Sequence, residues 1–453
     1  MKRPGRHPDD RELASLAVPA FFTFLAAPLY ELTDTAIVGR LGVAQLAGLA
    51  AAVAAFATVF FVINSVTTGL AGSIARRRGT GDERAVFEMW VSGAWFATSL
   101  GAVCGLALAV FAPALMSVLG TSGAVRGFAI TYLRISTLGL PPLMLAAACT
   151  NYLRAGTGDA RTPLFITIGA NVANLVLEIL FVWVFGWGVA GSAWSTVLVQ
   201  WLALVVFLAF VFRGVRGLEV RMVPRRAHLG EVTQVAGWMV VRTIALTAAL
   251  TMLTATAARI SEPALAANQI AYQVWLFLAF AVSGIEVAVN ALVGKHLGAA
   301  RSDAARRVAR RSLEHGVVLG LVALPMVFVF RYPLASLFTN DPAVRDLAAS
   351  ALVIVACMQP VAAFSFTFDG LFVGSGDVRF LAAQTTTAFV CVFLPGAMMV
   401  LAFDWGLDAL WLVMAAWVAW RALLGTIRYA QGRWARAVSP DVEGSRSRRR
   451  AIA

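Results

Sequence analysis

Residues 41–75 read LGVAQLAGLAAAVAAFATVFFVINSVTTGLAGSIA, and no Asp, Glu, Lys or Arg interrupts them. A helix crosses the roughly 30 Å hydrocarbon layer with about 20 apolar residues, so this stretch is long enough for one span and part of a second. Further uncharged runs extend from Met89 to Val125, Ile179 to Phe212, Leu347 to Phe368 and Phe380 to Phe403. At roughly 30 to 40 residues per span and loop, the 453 residues hold about twelve helices. The chain is 60% hydrophobic and 13% charged, with mean hydropathy +0.78, far from the roughly 45–50% and 25% of soluble chains. A soluble enzyme and a disordered protein are thereby excluded. A β-barrel is disfavoured because the apolar runs are continuous instead of alternating in short segments.

A net charge of +13 would suggest a nucleic-acid partner in a soluble protein, so the placement of the charges decides. Of the 37 Lys and Arg, 29 fall in alternate loops on one side and only Arg40, Arg126, Arg259, Arg331 and Arg345 on the other. Arg134, Arg242 and Arg421 fall inside spans. By the positive-inside rule both termini and the long central loop are cytoplasmic, and no nucleic-acid partner is expected. The segment from Leu13 is apolar, lacks a small-residue cleavage site and reads as the first span. Cys104, Cys149, Cys357 and Cys391 sit in apolar stretches without metal-like spacing, and His7, His228, His296 and His315 are scattered. With Lys2 and Lys295 as the only lysines against many arginines, the composition suits a GC-rich bacterial gene, hence an inner-membrane protein.

The sequence repeats itself. An offset of 219 places Glu12 on Glu231, Arg40 on Arg259, Leu46-Ala47 on Leu265-Ala266 and Gly79 on Gly298. At an offset of 218, Leu153-x-x-Gly156-x-Gly158-Asp159-x-Arg161 falls on Leu371, Gly374, Gly376, Asp377 and Arg379, and Trp187-Gly188 falls on Trp405-Gly406. An even number of spans per half keeps the halves parallel, related by an axis along the membrane normal. The expected architecture is all-α, with twelve transmembrane helices in two six-helix lobes. Its parts are a cytoplasmic tail at 1–12, an N-lobe at 13–212, a basic cytoplasmic linker at 213–230, a C-lobe at 231–430 and a basic disordered tail at 431–453.

The repeat breaks at polar positions: Asp34 maps onto Leu253, Asn174 onto Val392, Glu178 onto Gly396 and Thr196 onto Met414. An ionisable side chain within a span is costly unless paired, neutralised or facing water, and so marks function by default. Asn171, Asn174 and Glu178 are spaced i, i+3, i+7 and form one stripe on the fifth span. At about 1.5 Å per residue, Glu178 and Thr196 lie roughly 13 Å, and Asp34 roughly 10 Å, beneath the external surface. Interhelical hydrogen bonding is the alternative role for Asn171, Asn174 and Thr196. In the second half, Glu286, Asp369 and Arg242 lie at comparable depth, and Arg242 is expected to neutralise one of the two acids. That set is either a structural ion pair or a second coupling or substrate site. Glu31, one turn before Asp34, either lines the cavity or lies near the outer interface.

Several stretches together resemble the multidrug and toxin extrusion (MATE) family: Leu32-Thr-Asp34-Thr-Ala-Ile-Val-Gly-Arg-Leu-Gly42, the Leu-x-x-Gly-x-Gly-Asp-x-Arg signature, Asn174-Leu-Val-Leu-Glu178 with Gly188-Val-Ala-Gly-Ser-Ala193, and Asn290-Ala-Leu-Val-Gly-Lys-His-Leu-Gly298. Phe368-Asp-Gly-Leu-Phe-Val-Gly374 favours its DinF-like branch. The resemblance covers nearly the whole chain, from about Glu12 to Arg428. It implies a transporter, not an enzyme, that exports amphipathic, often cationic, compounds in exchange for H+ or Na+. It also implies a cation-coupling set of Asp34, Asn174, Glu178 and Thr196, with Glu178 in place of the family's usual aspartate. No cofactor is implied, and no metal other than Na+ at that set. Pro19 resembles the proline about which the first helix bends, and Tyr132 looks like the family's cavity tyrosine, a packing role being the alternative.

Two carboxylates in a low-dielectric cleft cannot both stay ionised cheaply, so Asp34 and Glu178 are expected to exchange a small cation against the drug. The expected partners are small amphipathic organic substrates and the lipid bilayer, and the expected unit is a monomer. A flippase for lipid-linked precursors is the nearest rival; its anionic cargo calls for a cationic cavity, whereas acids outnumber Arg134 and Arg242 within the spans. A membrane enzyme such as a prenyl transferase needs clustered Asp for Mg2+-pyrophosphate, and only Asp9-Asp10, in the tail, are adjacent. Gly294-Lys295-His296 lacks the hydroxyl residue of a phosphate-binding loop.

Overall fold

The computed structural model describes residues 8–217 and 220–436 and, within these, the side chains of all but 8, 27–33, 35, 36 and 436. Twelve long helices follow one another: α1 (Pro8–Gly39), α2 (Val43–Gly79), α3 (Glu83–Val118), α4 (Gly123–Thr157), α5 (Arg161–Val184), α6 (Gly188–Gly214), α7 (Arg226–Ile260), α8 (Glu262–Gly298), α9 (Ser302–Ser336), α10 (Pro342–Ser375), α11 (Val378–Ala402) and α12 (Gly406–Ala430). No strand occurs among the described residues. Helices α2 to α12 are each long and apolar enough to cross a membrane. The twelfth span is α1, 32 residues long, in which residues 13–30 carry no Asp, Glu, Lys or Arg.

Side chains and glycines punctuate these helices at the repeated signature. Gly158 and Gly376, both at φ 83°, end α4 and α10 in the left-handed conformation that glycine adopts without strain. The aspartate that follows takes a different partner in each repeat. Asp159 accepts from the backbone N–H of Arg161 and Thr162 at 2.9 and 3.0 Å and so caps α5. Asp377 instead accepts from Arg428 at 2.7 and 3.0 Å.

The chain packs as two compact units, one comprising Met1–Phe21 and Val241–Ala453 and the other Phe22–Val240. The linker at 213–230 was the expected boundary, but packing divides the chain inside α1 and α7. The cause is the same in both repeats. In the first unit Lys295 pairs with Glu12 at 2.6 Å, and a Cβ on Gly284 would lie 2.6 Å from the Ala17 carbonyl oxygen, so the start of α1 lies tight on α8. In the second, Arg77 and Arg76 reach Glu231 at 2.7 and 3.5 Å, and a Cβ on Gly69 would lie 2.5 Å from Val235, so the start of α7 lies tight on α2. The linker is fastened to α3: Arg225 pairs with Glu88 at 2.9 Å, and the Trp95 indole donates to the Met222 carbonyl at 2.9 Å.

Helical structure reaches into both terminal segments. Residues 8–12 already belong to α1, and a 3-10 turn at Arg433–Arg436 buries Trp434, which stacks on Tyr429 with ring centres 5.6 Å apart. Residues 1–7 and 437–453, including the rest of the expected disordered tail, lie outside the described residues.

The second unit holds two apolar clusters, one around Val38, Leu49, Tyr132 and Leu133 and one around Ile63, Leu140 and Met144. The first unit has a larger core that includes Trp275, Phe393, Trp411 and Trp417. Its α8 and α10 meet backbone to backbone, because a Cβ on Gly370 or Gly374 would lie 2.3 Å from the Glu286 or 2.6 Å from the Asn290 carbonyl oxygen. Gly370→Val forces these helices apart, so we expect loss of about 3 kcal/mol or more, by analogy with severe overpacking. It should be read as a collapse of the monodisperse peak in detergent size-exclusion chromatography; an unchanged profile and melting temperature would contradict the close approach.

Candidate functional site

In the Phe22–Val240 unit, three helices bring polar groups to one buried place. Asp34 comes from α1, Asn174 and Glu178 from α5, and Ser192, Ser195 and Thr196 from α6. Asp34 and Asn174 are 4% and 3% exposed, and Glu178 not at all. The Ser192 hydroxyl donates to Asp34 Oδ1. Asn174 Nδ2 donates to Ser195 Oγ at 3.5 Å and to Thr196 Oγ1 at 3.4 Å, and both hydroxyls donate to the Ser192 carbonyl, at 2.7 and 3.1 Å. Asn174 Oδ1 and both carboxylate oxygens of Glu178 are buried and have no hydrogen-bond donor within bonding distance among the described residues. The side chains interacting with Glu178 are Asp34 and Ser192. Two facing carboxylates offer only acceptors, so no hydrogen bond joins Glu178 to Asp34 until one of them takes up a proton.

Local backbone geometry makes this convergence possible. Immediately after Glu178, α5 widens into a π-turn at Leu180–Val184, closed by Phe185 N–H donating to the Leu180 carbonyl at 2.9 Å; such turns are frequent at functional sites. Opposite it, a Cβ on Gly191 would stand 2.8 Å from the Phe181 carbonyl carbon. Only glycine admits that approach, and it sets the next residue, Ser192, against Asp34.

Asp34, Asn174, Glu178 and Thr196, singled out in sequence, therefore stand together. Asn171 lies lower on α5 and donates to the Ala26 carbonyl of α1 at 3.0 Å, tying the two helices. Tyr132 is buried in the cluster with Val38 and Leu49. Arg134 is exposed, and its Nε donates to the Ala109 carbonyl at 3.2 Å; it forms no ion pair among the described residues. Pro19 is buried in α1, two residues before the end of the first unit's opening segment at Phe21. The side chain of Glu31 lies outside the described residues. Ser192 escaped the sequence reading, although its place one turn before Thr196 on the same face of α6 was the available signal.

The other unit solves the same electrostatic problem differently. Asp369 on α10, 1% exposed, receives Arg242 of α7 at 2.5 Å and Arg421 of α12 at 2.6 and 2.9 Å. Arg421 is fully buried, with its guanidinium carbon 4.9 Å from the Trp417 ring centre and 5.5 Å from that of Phe366. Glu286 on α8 is half-buried, makes no hydrogen bond or ion pair among the described residues, and lies within the electrostatic reach of Asp369, Arg242 and Arg421. Two acids thus face two guanidinium groups, whereas the Asp34–Glu178 centre has no basic group hydrogen-bonded to it among the described residues. Arg421 was recognised as lying within a span but not as a partner of Asp369; its signal is a further break of the repeat, since position 421 corresponds to Ala203.

A twice-repeated all-α bundle with charged groups held inside its spans defines a multi-pass membrane transporter. The sequence profile of the MatE family matches residues 19–180 and again 239–398, and the chain belongs to that family of multidrug and toxin extrusion transporters. It is 28% identical over 438 residues to Protein DETOXIFICATION 44, chloroplastic, of Arabidopsis thaliana, covering 94% of this chain and 83% of that one. It is 24% identical to DNA damage-inducible protein F of Escherichia coli, covering 91% and 90%, and 24% identical to the multidrug resistance protein PmpM of Pseudomonas aeruginosa, covering 93% and 91%. In fold it is similar to a crystal structure of MATE in the bent conformation, with TM-score 0.87, 20% identity and coverage of 95% and 96%. It is also similar to an outward-facing multidrug resistance MATE family transporter, with TM-score 0.86, 20% identity and coverage of 95% and 97%.

Proposed function

We propose that this chain is a secondary antiporter of a bacterial plasma membrane. It exports amphipathic, cationic organic compounds in exchange for H+ or Na+ by alternating access, with Asp34 and Glu178 as the coupling carboxylates. The observation that carries the reading is the contrast between the two polar centres: Asp369 is held by two guanidinium groups, while Asp34 and Glu178 interact with each other without a cationic partner among the described residues. A buried, unpaired carboxylate costs several kcal/mol, so the pair takes up a cation whenever one can reach it.

The orphaned oxygens of Glu178 and Asn174, with Asp34 and Thr196, suit either ion. A hard cation such as Na+ prefers a cage of oxygens, and a proton needs only the facing carboxyls. Uptake of the ion removes the negative charge that holds an organic cation, and the cargo leaves on the outer side. Return of the ion to the cytoplasm is driven by about 2.3 kcal/mol per charge per 100 mV. Pro19 supplies no backbone N–H to the helical ladder, and its position beside the packing division at Phe21 and Phe22 supports a bend of α1 as the switching motion. By the positive-inside rule, the excess of Lys and Arg in alternate loops supports a cytoplasmic side for both termini.

A flippase of anionic lipid-linked precursors is the weaker reading, because the unneutralised centre is acidic. The test uses everted vesicles that contain the protein, with a pH gradient or a sodium gradient imposed separately and ethidium or norfloxacin accumulation followed. One of the two gradients alone should drive accumulation; accumulation under neither would overturn the proposal.

A further inference from the structure

We infer that the crevice between α5 and α6 is a binding site for one anionic phospholipid from the leaflet beside the basic loops. The crevice has a volume of about 350 Å3 and is lined from α5 by residues including Thr162, Gly169 and Ala173, and from α6 by residues including Ala203 and Phe210. It runs along α5 from Thr162 to Ala173, about 16 Å of helix, which matches the roughly 15 Å of one hydrocarbon leaflet. Phe165 and Leu202 on its walls are 68% and 55% exposed, so it is open along its side. The lining is almost wholly apolar, as an acyl chain requires.

Its mouth is basic. Arg161 adjoins Thr162, and Arg213 follows Phe210 by one turn, with Arg216 beyond it; all three are exposed. Their guanidinium groups make no hydrogen bond or ion pair among the described residues. Asp159, two residues before Arg161, is occupied in capping α5 and in accepting from the Thr162 hydroxyl at 2.5 Å. Three free cations at the end of an apolar slot suit a phosphodiester with its chain in the slot, the arrangement by which basic pockets between spans hold anionic headgroups.

The repeat argues against an accident of packing. At an offset of 218, Thr162, Ile166, Gly169, Leu202 and Phe210 correspond to Phe380, Gln384, Thr387, Trp420 and Arg428. In that second copy the two helices are laced together. Gln384 donates to the Arg421 carbonyl, Trp420 Nε1 reaches Thr387 Oγ1 at 3.5 Å, and Arg428 lies 5.1 Å from the Phe380 ring centre while pairing with Asp377. The first copy keeps the aspartate as Asp159 but has Ile166, Gly169, Leu202 and Phe210 in place of the other fasteners, and Thr162, whose hydroxyl is turned to Asp159, in place of Phe380.

Native mass spectrometry of the purified full chain tests this, with phosphatidylglycerol and phosphatidylcholine of identical acyl chains titrated in detergent. The wild type should retain one phosphatidylglycerol at least about tenfold more tightly than phosphatidylcholine. The triple variant R161Q/R213Q/R216Q should lose that preference, each basic group near a membrane surface contributing a several-fold factor. Gly169→Leu should release both lipids by filling the slot, and a Cβ there meets open space. Equal retention of the two lipids by the wild type, or a preference that survives in the triple variant, would overturn the inference. So would tight retention by Gly169→Leu, which would place the lipid elsewhere.

Discussion

Asp34→Asn should reduce drug resistance in a hypersusceptible host to that of the empty vector while leaving the protein in the membrane at wild-type levels. The geometry explains why fold and function separate here. The Ser192 hydroxyl donates to Asp34 Oδ1, and the amide oxygen of asparagine accepts that bond equally well, so packing around α1 is kept. What disappears is the charge: an amide neither takes up a proton nor holds a cation against its hydration shell. Because Asp34 and Glu178 interact directly, they should act as one group. Glu178→Gln should abolish coupling alone, and the double variant should be no worse than either, the non-additivity expected of residues that work as a unit. Transport rates in vesicles and expression by immunoblot give the two readouts. Asp34→Asn with normal efflux would remove the carboxylate pair from the mechanism.

The largest loss of stability should come from Arg421→Met. It leaves Asp369 with Arg242 alone at 2.5 Å and with Glu286 near by. Removing one partner of a buried ion pair costs about 3–5 kcal/mol, whereas replacing both partners with uncharged groups is often close to neutral. The melting temperature of the purified protein in detergent should therefore fall sharply for Arg421→Met and recover in large part in Arg421→Met/Asp369→Asn. Arg421→Lys should fall between, since an ammonium keeps the charge but loses the planar face that lies over Trp417. Equal melting of the single and double variants would show that the charge on Asp369 does not depend on Arg421.

The fold class was legible because apolar run length and loop charge both report directly on a bilayer, and the two-lobe plan because the repeat keeps its register. Asp34 and Glu178 were legible for the opposite reason: they are where the repeat fails. Ser192 was not, because a serine in a membrane helix is commonplace and only the approach admitted by Gly191 turns it onto Asp34. The partnership of Arg421 with Asp369 spans 52 residues and depends on how α10 and α12 pack, which hydropathy does not record. The π-turn at Leu180–Val184 left no trace in composition. The packing division inside α1 and α7 was not legible, because charge and turn residues mark where a chain leaves the membrane, whereas packing is decided by contacts such as Gly284 on Ala17 and Gly69 on Val235.

That last feature bears on how the polypeptide can be assembled. A nick anywhere between Gly214 and Arg226 leaves two fragments, neither of which contains a whole packing unit: the first keeps the opening stretch of one unit, up to Phe21, and the second the closing stretch of the other, up to Val240. During synthesis, the segment ending at Phe21 must wait for more than two hundred residues before its own neighbours, from Val241 onward, exist.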